Sequence, residues 1–120
     1  MAKKRKSNPD FLNGVPELLV LRLLSAQPMY GYQIVEAIRR ESEDVFEFGE
    51  GSIYPILHRL EAEKMLSSKR ELVNGRQRVV YRTTAAGGRR LNDSADRWNT
   101  ISKTLRKMLE GDSHAEPAVL

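Results

Sequence analysis

The residues whose types and spacing could do chemistry lie mainly between Gly49 and Tyr81. Ser52, Tyr54, Pro55, His58 and Arg59 crowd one side of a stretch whose other side, Ile53, Ile56, Leu57 and Leu60, is apolar at the i, i+3, i+4, i+7 spacing of a helix. An α-helix fits the major groove of double-stranded DNA, and an arginine there can contact guanine O6 and N7 in bidentate fashion. Lys69 and Arg70 precede an Asn74-Gly75 dipeptide, and Arg76 and Arg78 follow it. Cations at such a hairpin are candidates for phosphate or minor-groove contacts. Tyr30 and Tyr32 bracket Gly31 at a helix start, where one hydroxyl could reach a phosphate with help from the helix N-terminus.

Each group also has a plainer reading. The helix face could be an ordinary solvated surface, with Arg59 paired to Glu63 four residues on. Charged residues at a hairpin tip favour solubility. At least one of Tyr30 and Tyr32 is expected to pack in the core, and Tyr54 could simply cover its edge.

The elements that must position these residues are legible from pattern. Pro16 suits a first helical turn, and residues 17–25 are apolar on nearly all sides, closed by Gln27-Pro28. Residues 30–42 form a second helix, with Ile34, Val35 and Ile38 inward and Glu36, Arg39 and Arg40 outward. The connection over residues 43–51 exceeds the ~3–4 residues of a tight helix-turn-helix, and Phe46 and Phe48 are expected to anchor it. The third helix is expected over residues 52–64 with Ser52 as N-cap, which keeps Pro55 within the first turn. Strands over residues 65–73 and 78–83 flank Asn74-Gly75, because both central positions of a type I′ turn need positive φ. Thr84 is the expected N-cap of a last helix ending near Glu110. Along it Leu91, Ala95, Trp98, Leu105 and Leu109 keep a seven-residue spacing that Ile101 and Met108 widen. That stripe has more apolar surface than a small domain can cover, which points to a second copy of the chain.

The fold expected is therefore mainly α. It is a winged helix-turn-helix of three helices plus a two-stranded β-wing, with a long C-terminal dimerisation helix. Its divisions are a basic disordered arm over 1–12, a winged-helix DNA-binding domain over 13–84, the dimerisation helix over 85–110 and a flexible tail over 111–120.

Composition bounds what else is possible. The chain has 120 residues with 40% hydrophobic content, enough for one small core. Its net charge of +4 favours a polyanionic partner only weakly. There is no cysteine, hence no disulfide and no thiolate metal site. The longest apolar run, residues 18–21, is broken at Arg22, and Lys3, Lys4, Arg5 and Lys6 are not followed at once by a signal-peptide core. A cytoplasmic protein is expected. The two histidines, His58 and His114, lack partners at ligand spacing, so neither a metal nor another cofactor is expected. The serines have no nucleophile-elbow context and there is no Gly-rich phosphate loop, so no enzyme is expected.

At Gly51-Ser52-Ile53-Tyr54-Pro55-Ile56-Leu57-His58-Arg59-Leu60-Glu61 the chain resembles the PadR family of bacterial transcriptional regulators. Tyr30-Gly31-Tyr32, Gly75-Arg76, Tyr81 and Thr84 with Gly87 recur in the family's order, and the likeness spans residues 15–109. The single C-terminal helix resembles the short-form branch. The resemblance implies a homodimer on a pseudopalindromic operator, repressing neighbouring genes and sometimes released by a small molecule. In some short-form relatives a tryptophan of the last helix lines an apolar pore at the dimer interface where aromatic compounds bind, and Trp98 falls at the matching place. The chain departs from the family pattern at Lys64, where many members have glycine, and at Val79-Val80, where a basic residue and an aromatic are common.

The reading is thus a sequence-specific DNA-binding repressor. Its DNA-contacting residues would be Tyr30, Ser52, Tyr54, Pro55, His58, Arg59, Lys69, Arg76 and Arg78. Leu91, Ala95, Trp98, Ile101, Leu105 and Met108 would form the dimer interface or effector site. The rival is a winged helix used as a protein-interaction module without a DNA target, since fold alone does not settle function.

Overall fold

The computed structural model describes residues 14–111. The basic arm expected over residues 1–12, and all of the expected tail but Gly111, with His114, lie outside the described residues. Seven elements follow in order: α1 Val15–Ala26, β1 Met29–Tyr30, α2 Gly31–Glu41, α3 Glu50–Ala62, β2 Leu66–Val73, β3 Arg76–Thr83 and α4 Ala85–Leu109.

The first three helices enclose the core. Val20, Leu21, Ile34, Ile53, Leu57 and Leu60 are wholly or almost wholly buried, as their spacing requires. Phe48 is buried and Phe46 stacks on it with ring centroids 5.9 Å apart, anchoring the α2–α3 connection. Ser42 reinforces that connection, its hydroxyl accepting a 2.9 Å hydrogen bond from the Phe46 N–H.

The sheet has three antiparallel strands in the order β1–β3–β2, one more than the expected two-stranded wing. The extra strand is two residues long, too short for any periodic signal, and pairs Met29 with Tyr81 and Tyr30 with Val80. Tyr30 therefore ends a strand and caps α2 rather than opening a helical turn. β3 begins at Arg76 rather than Arg78, because the two-residue turn brings Arg76 directly opposite Val73. Asn74 and Gly75 both have positive φ, at 53° and 82°, as a type I′ hairpin needs.

The start of α3 corrects a second expectation. Gly49, with extended backbone, is the N-cap, and its carbonyl accepts from the Ser52 and Ile53 N–H groups. Ser52 is thus inside the helix, and Pro55 lies in the second turn instead of the first. Pro55 has no N–H to give the Gly51 carbonyl. Both residues are exposed, so that carbonyl can be satisfied by solvent.

Thr84 caps α4 as expected, its hydroxyl oxygen accepting from the Gly87 N–H at 3.1 Å. The same hydroxyl donates to the Lys64 carbonyl at 2.7 Å, which fastens the start of α4 to the end of α3. The first part of α4 lies on α1. Leu91 and Trp98 are half-buried against the core, and the Trp98 indole covers the backbone at Gly14. From Ile101 onward every residue of the helix is exposed.

Candidate nucleic-acid interface

The strand register decides which candidate residues share a surface. Side chains alternate between faces along a strand, and directly opposed residues share a face. Leu66, Ser68, Arg70 and Leu72 therefore lie with Thr83, Tyr81, Val79 and Gln77. This is the core face: Leu66 and Tyr81 are buried, and the Ser68 hydroxyl donates to Glu61 of α3 at 2.6 Å. Burial raises the Tyr81 hydroxyl pKa, and the nearby Glu61 charge adds to the effect. The opposite face carries Lys69, Val73, Arg76 and Arg78, and the β1 pairing adds Tyr30 to it. Four of the predicted residues, Tyr30, Lys69, Arg76 and Arg78, are thus brought together. Arg70 points to the other side.

Within that group Lys69 and Arg76 are exposed, whereas Arg78 and Tyr30 are half-buried against each other. The Arg78 guanidinium carbon lies 4.5 Å from the centre of the Tyr30 ring, within cation–π range. Tyr30 is itself fixed, because its N–H donates to the Gln33 carboxamide at 3.0 Å. Tyr32 turns elsewhere. Its hydroxyl faces Glu36, whose negative charge raises the phenol pKa.

On α3, Pro55 and His58 are exposed and Ser52 half-exposed. Tyr54 is half-buried against the core, with its ring 6.3 Å from that of His58. A side chain on Gly31 would sit about 2.5 Å from the Tyr54 ring atoms, so the Tyr-Gly-Tyr sequence exists in part to let Tyr54 lie on the start of α2. This contact places Tyr54 beside the residue that follows Tyr30.

Arg59 makes the expected pairing with Glu63 and a second one that the sequence did not disclose. Its guanidinium bonds Glu17 of α1 at 2.8 Å and lies 3.5 Å from Glu63. Arg90 of α4 meets the same two carboxylates, at 3.1 and 3.4 Å. The four side chains close a ring of alternating charge joining α1, α3 and α4. In this arrangement the Arg59 charge is neutralised and aimed at protein. The i+4 pairing with Glu63 was legible in sequence; the stronger partner, Glu17, lies 42 residues away and was not.

The candidate dimer residues also divide. Leu91 and Trp98 pack on their own head and Ala95 is half-exposed, while Ile101, Leu105, Met108 and Leu109 are 45%, 51%, 72% and 81% exposed. Among the described residues no cluster of three or more His, Asp or Glu side chains could hold a metal, and no helix is long and apolar enough to cross a membrane.

This geometry has relatives. The model of the transcriptional regulator PadR-like family matches residues 20–93. Over 105 residues the chain is 32% identical to transcriptional regulator Rv3488 of Mycobacterium tuberculosis, covering 88% of this chain and 92% of that one. A PadR family transcriptional regulator from Eggerthella lenta has a similar structure, with a TM-score of 0.72 at 29% identity, over 84% of this chain and 87% of the other. A PadR-like transcriptional regulator from Bacillus cereus gives a TM-score of 0.75 at 28% identity, over 84% and 97%. The chain belongs to the PadR-like family of transcriptional regulators.

Proposed function

We propose that this regulator is a homodimeric, sequence-specific DNA-binding repressor. The observation that carries the reading is the common sheet face of Tyr30, Lys69, Arg76 and Arg78, together with a third helix on which Pro55 and His58 are exposed. In this mechanism α3 of each subunit enters successive major grooves of a pseudopalindromic operator. Ser52, Tyr54, Pro55 and His58 face base edges, and the wing with the start of α2 fixes the phosphates. The two heads stand about one helical turn apart, ~34–36 Å. Arg59 joins the base contacts only where the duplex draws it away from Glu17 and Glu63. A protein of this function works in the compartment of its DNA, the cytoplasm.

The apolar side chains of α4 from Ile101 to Leu109 supply the contact between copies. A small aromatic effector at that interface, near Trp98, would release DNA by binding one spacing of the heads better than another. Trp98 emission titrated with a panel of planar aromatic compounds tests this step. Unchanged emission throughout removes it.

The test of the main reading is fluorescence anisotropy on labelled DNA from upstream of the protein's own gene, beside a scrambled duplex, at several salt concentrations. Preference for the native fragment by ~10³-fold or more supports a site-specific regulator. Weak, salt-steep binding to both indicates generic charge attraction. The internal pairing of Arg59 favours the rival reading, a protein-interaction module, and absence of binding even at low salt would select it.

A further inference from the structure

Two arginines of the proposed interface differ in how they are held. Arg59 is fastened by two carboxylates, which cancel its charge towards an incoming polyanion. Arg78 is fastened by a ring. The carboxylate directly opposite it in the register, Glu71, pairs instead with Arg82 at 2.7 Å. Among the described residues no carboxylate lies within ion-pair distance of Arg78, and its Nε is buried without a hydrogen-bond partner. A π face restrains a guanidinium without neutralising it, and with Nε buried it leaves the two terminal amino groups to bind an anion. The restraint is built into the backbone: β1 exists only as the pairing of Met29 and Tyr30 with β3, and it sets the Tyr30 ring beside the residue two positions before its own partner, Val80.

We propose that Tyr30 is the positioning residue for Arg78, its ring holding the still-charged guanidinium for a phosphodiester group where the wing meets the start of α2. The inference rests on the DNA-binding reading and assigns the ring of Tyr30, not its hydroxyl, the working role. Arg78 makes the phosphate contact, and Tyr30 reduces the freedom the side chain loses on making it.

The test combines two readouts on the full chain. The first needs no DNA. In the wild-type protein the Arg78 Nε–H resonance, assigned by its loss in Arg78→Ala, should carry a ring-current shift that Tyr30→Phe keeps and Tyr30→Leu abolishes. The second is anisotropy on the labelled upstream duplex over a salt series. Arg78→Ala should lower the slope of log affinity against log salt by about 0.9, the loss of one phosphate contact. Tyr30→Leu should weaken binding about 2- to 5-fold, the size of an exposed cation–π contact. Tyr30→Phe should bind as wild type, and Tyr30→Leu should add nothing in the Arg78→Ala background.

A wild-type Arg78 resonance with no ring-current shift overturns the proposal without recourse to any variant, so a misfolded Tyr30→Leu protein does not protect it. Loss of binding in Tyr30→Phe equal to that in Tyr30→Leu also overturns it, in favour of a hydroxyl–phosphate contact. So do additive effects in the double variant, which make Tyr30 independent of Arg78. If the ring-current shift is present but the wild type binds neither the upstream nor a scrambled duplex, the DNA-binding reading itself fails. The contact then stands as internal packing with no phosphodiester to serve.

Discussion

Lys64 adopts φ 68°, the left-handed conformation that side chains other than glycine disfavour. The position demands it. The Lys64 N–H bonds the Glu61 carbonyl and the Met65 N–H the Leu60 carbonyl, the paired bonds of a Schellman turn that ends α3. A lysine at this position strains the backbone that closes α3. Lys64→Gly should stabilise the protein by about 1 kcal/mol, read as a higher urea midpoint at unchanged m-value. Gly87 makes the opposite case. A Cβ there would lie 2.1 Å from the Met65 carbonyl oxygen, which belongs to backbone and cannot swing aside. Gly87→Ala should destabilise by about 2–3 kcal/mol in the same titration. Gly88→Ala, one residue on and facing open space in the same helix, should stabilise by up to about 1 kcal/mol. Thr84 and Gly87 thus serve one requirement, that α4 start against the chain leaving α3.

Between elements, the ring of Glu17, Arg59, Glu63 and Arg90 ties the proposed recognition helix to both the first helix and the last. Burial alone would raise the Glu17 carboxyl pKa, but hydrogen bonds from Arg59 and Arg90 and their charges hold it below its usual 4.5. A carboxylate lowered on folding stabilises fully above its unfolded pKa and loses that contribution as pH falls through its folded one. Unfolding free energy should therefore drop on acidification below about pH 4.5, and Glu17→Gln should flatten part of that slope. Glu36, lowered chiefly by its hydrogen bond from Arg39, has the same sign, so the difference between wild type and Glu17→Gln isolates the ring. The effect at neutral pH should be about 1 kcal/mol or less, because Arg59 is half exposed. A pH profile identical in both proteins would show that the ring contributes nothing. Such cross-element ties mark the boundary of what sequence could disclose. Asn74-Gly75, the Thr84 cap and the apolar faces of α2 and α3 are local signals, and they named the winged helix. Gly49 offers no capping side chain, so α3 appeared to begin at Ser52; β1 is too short for a period; and Arg59 found its second partner on a helix that only folding brings near. The sheet face of Tyr30, Lys69, Arg76 and Arg78 lies between these cases. Its residues were legible singly, but their common side depended on a register fixed by the turn.

For the whole molecule the decisive feature is shape. The last helix, α4, is 25 residues long, about 38 Å at 1.5 Å per residue. Its first half is held on the head by Leu91 and Trp98, and its second half, with Ile101, Leu105, Met108 and Leu109 exposed, projects beyond the core. Apolar side chains at 45–81% exposure on a projecting helix gain little in a monomer. Burying them against the same surface of a second copy makes a closed two-fold contact. Replacing Leu105 and Met108 by glutamate together should convert the proposed dimer to a monomer in analytical ultracentrifugation. The monomer should keep its helical circular dichroism, since neither residue touches the head. Two linked heads bind a two-half-site operator with an avidity ~10²–10⁴ beyond one head, so the same variant should lose about that factor on the full operator and little on a single half-site. Equal losses on both would place Leu105 or Met108 in the DNA contact itself. A variant still dimeric would move the interface to the head-proximal half of α4, where Ala95 and the uncovered part of Trp98 are the remaining surface.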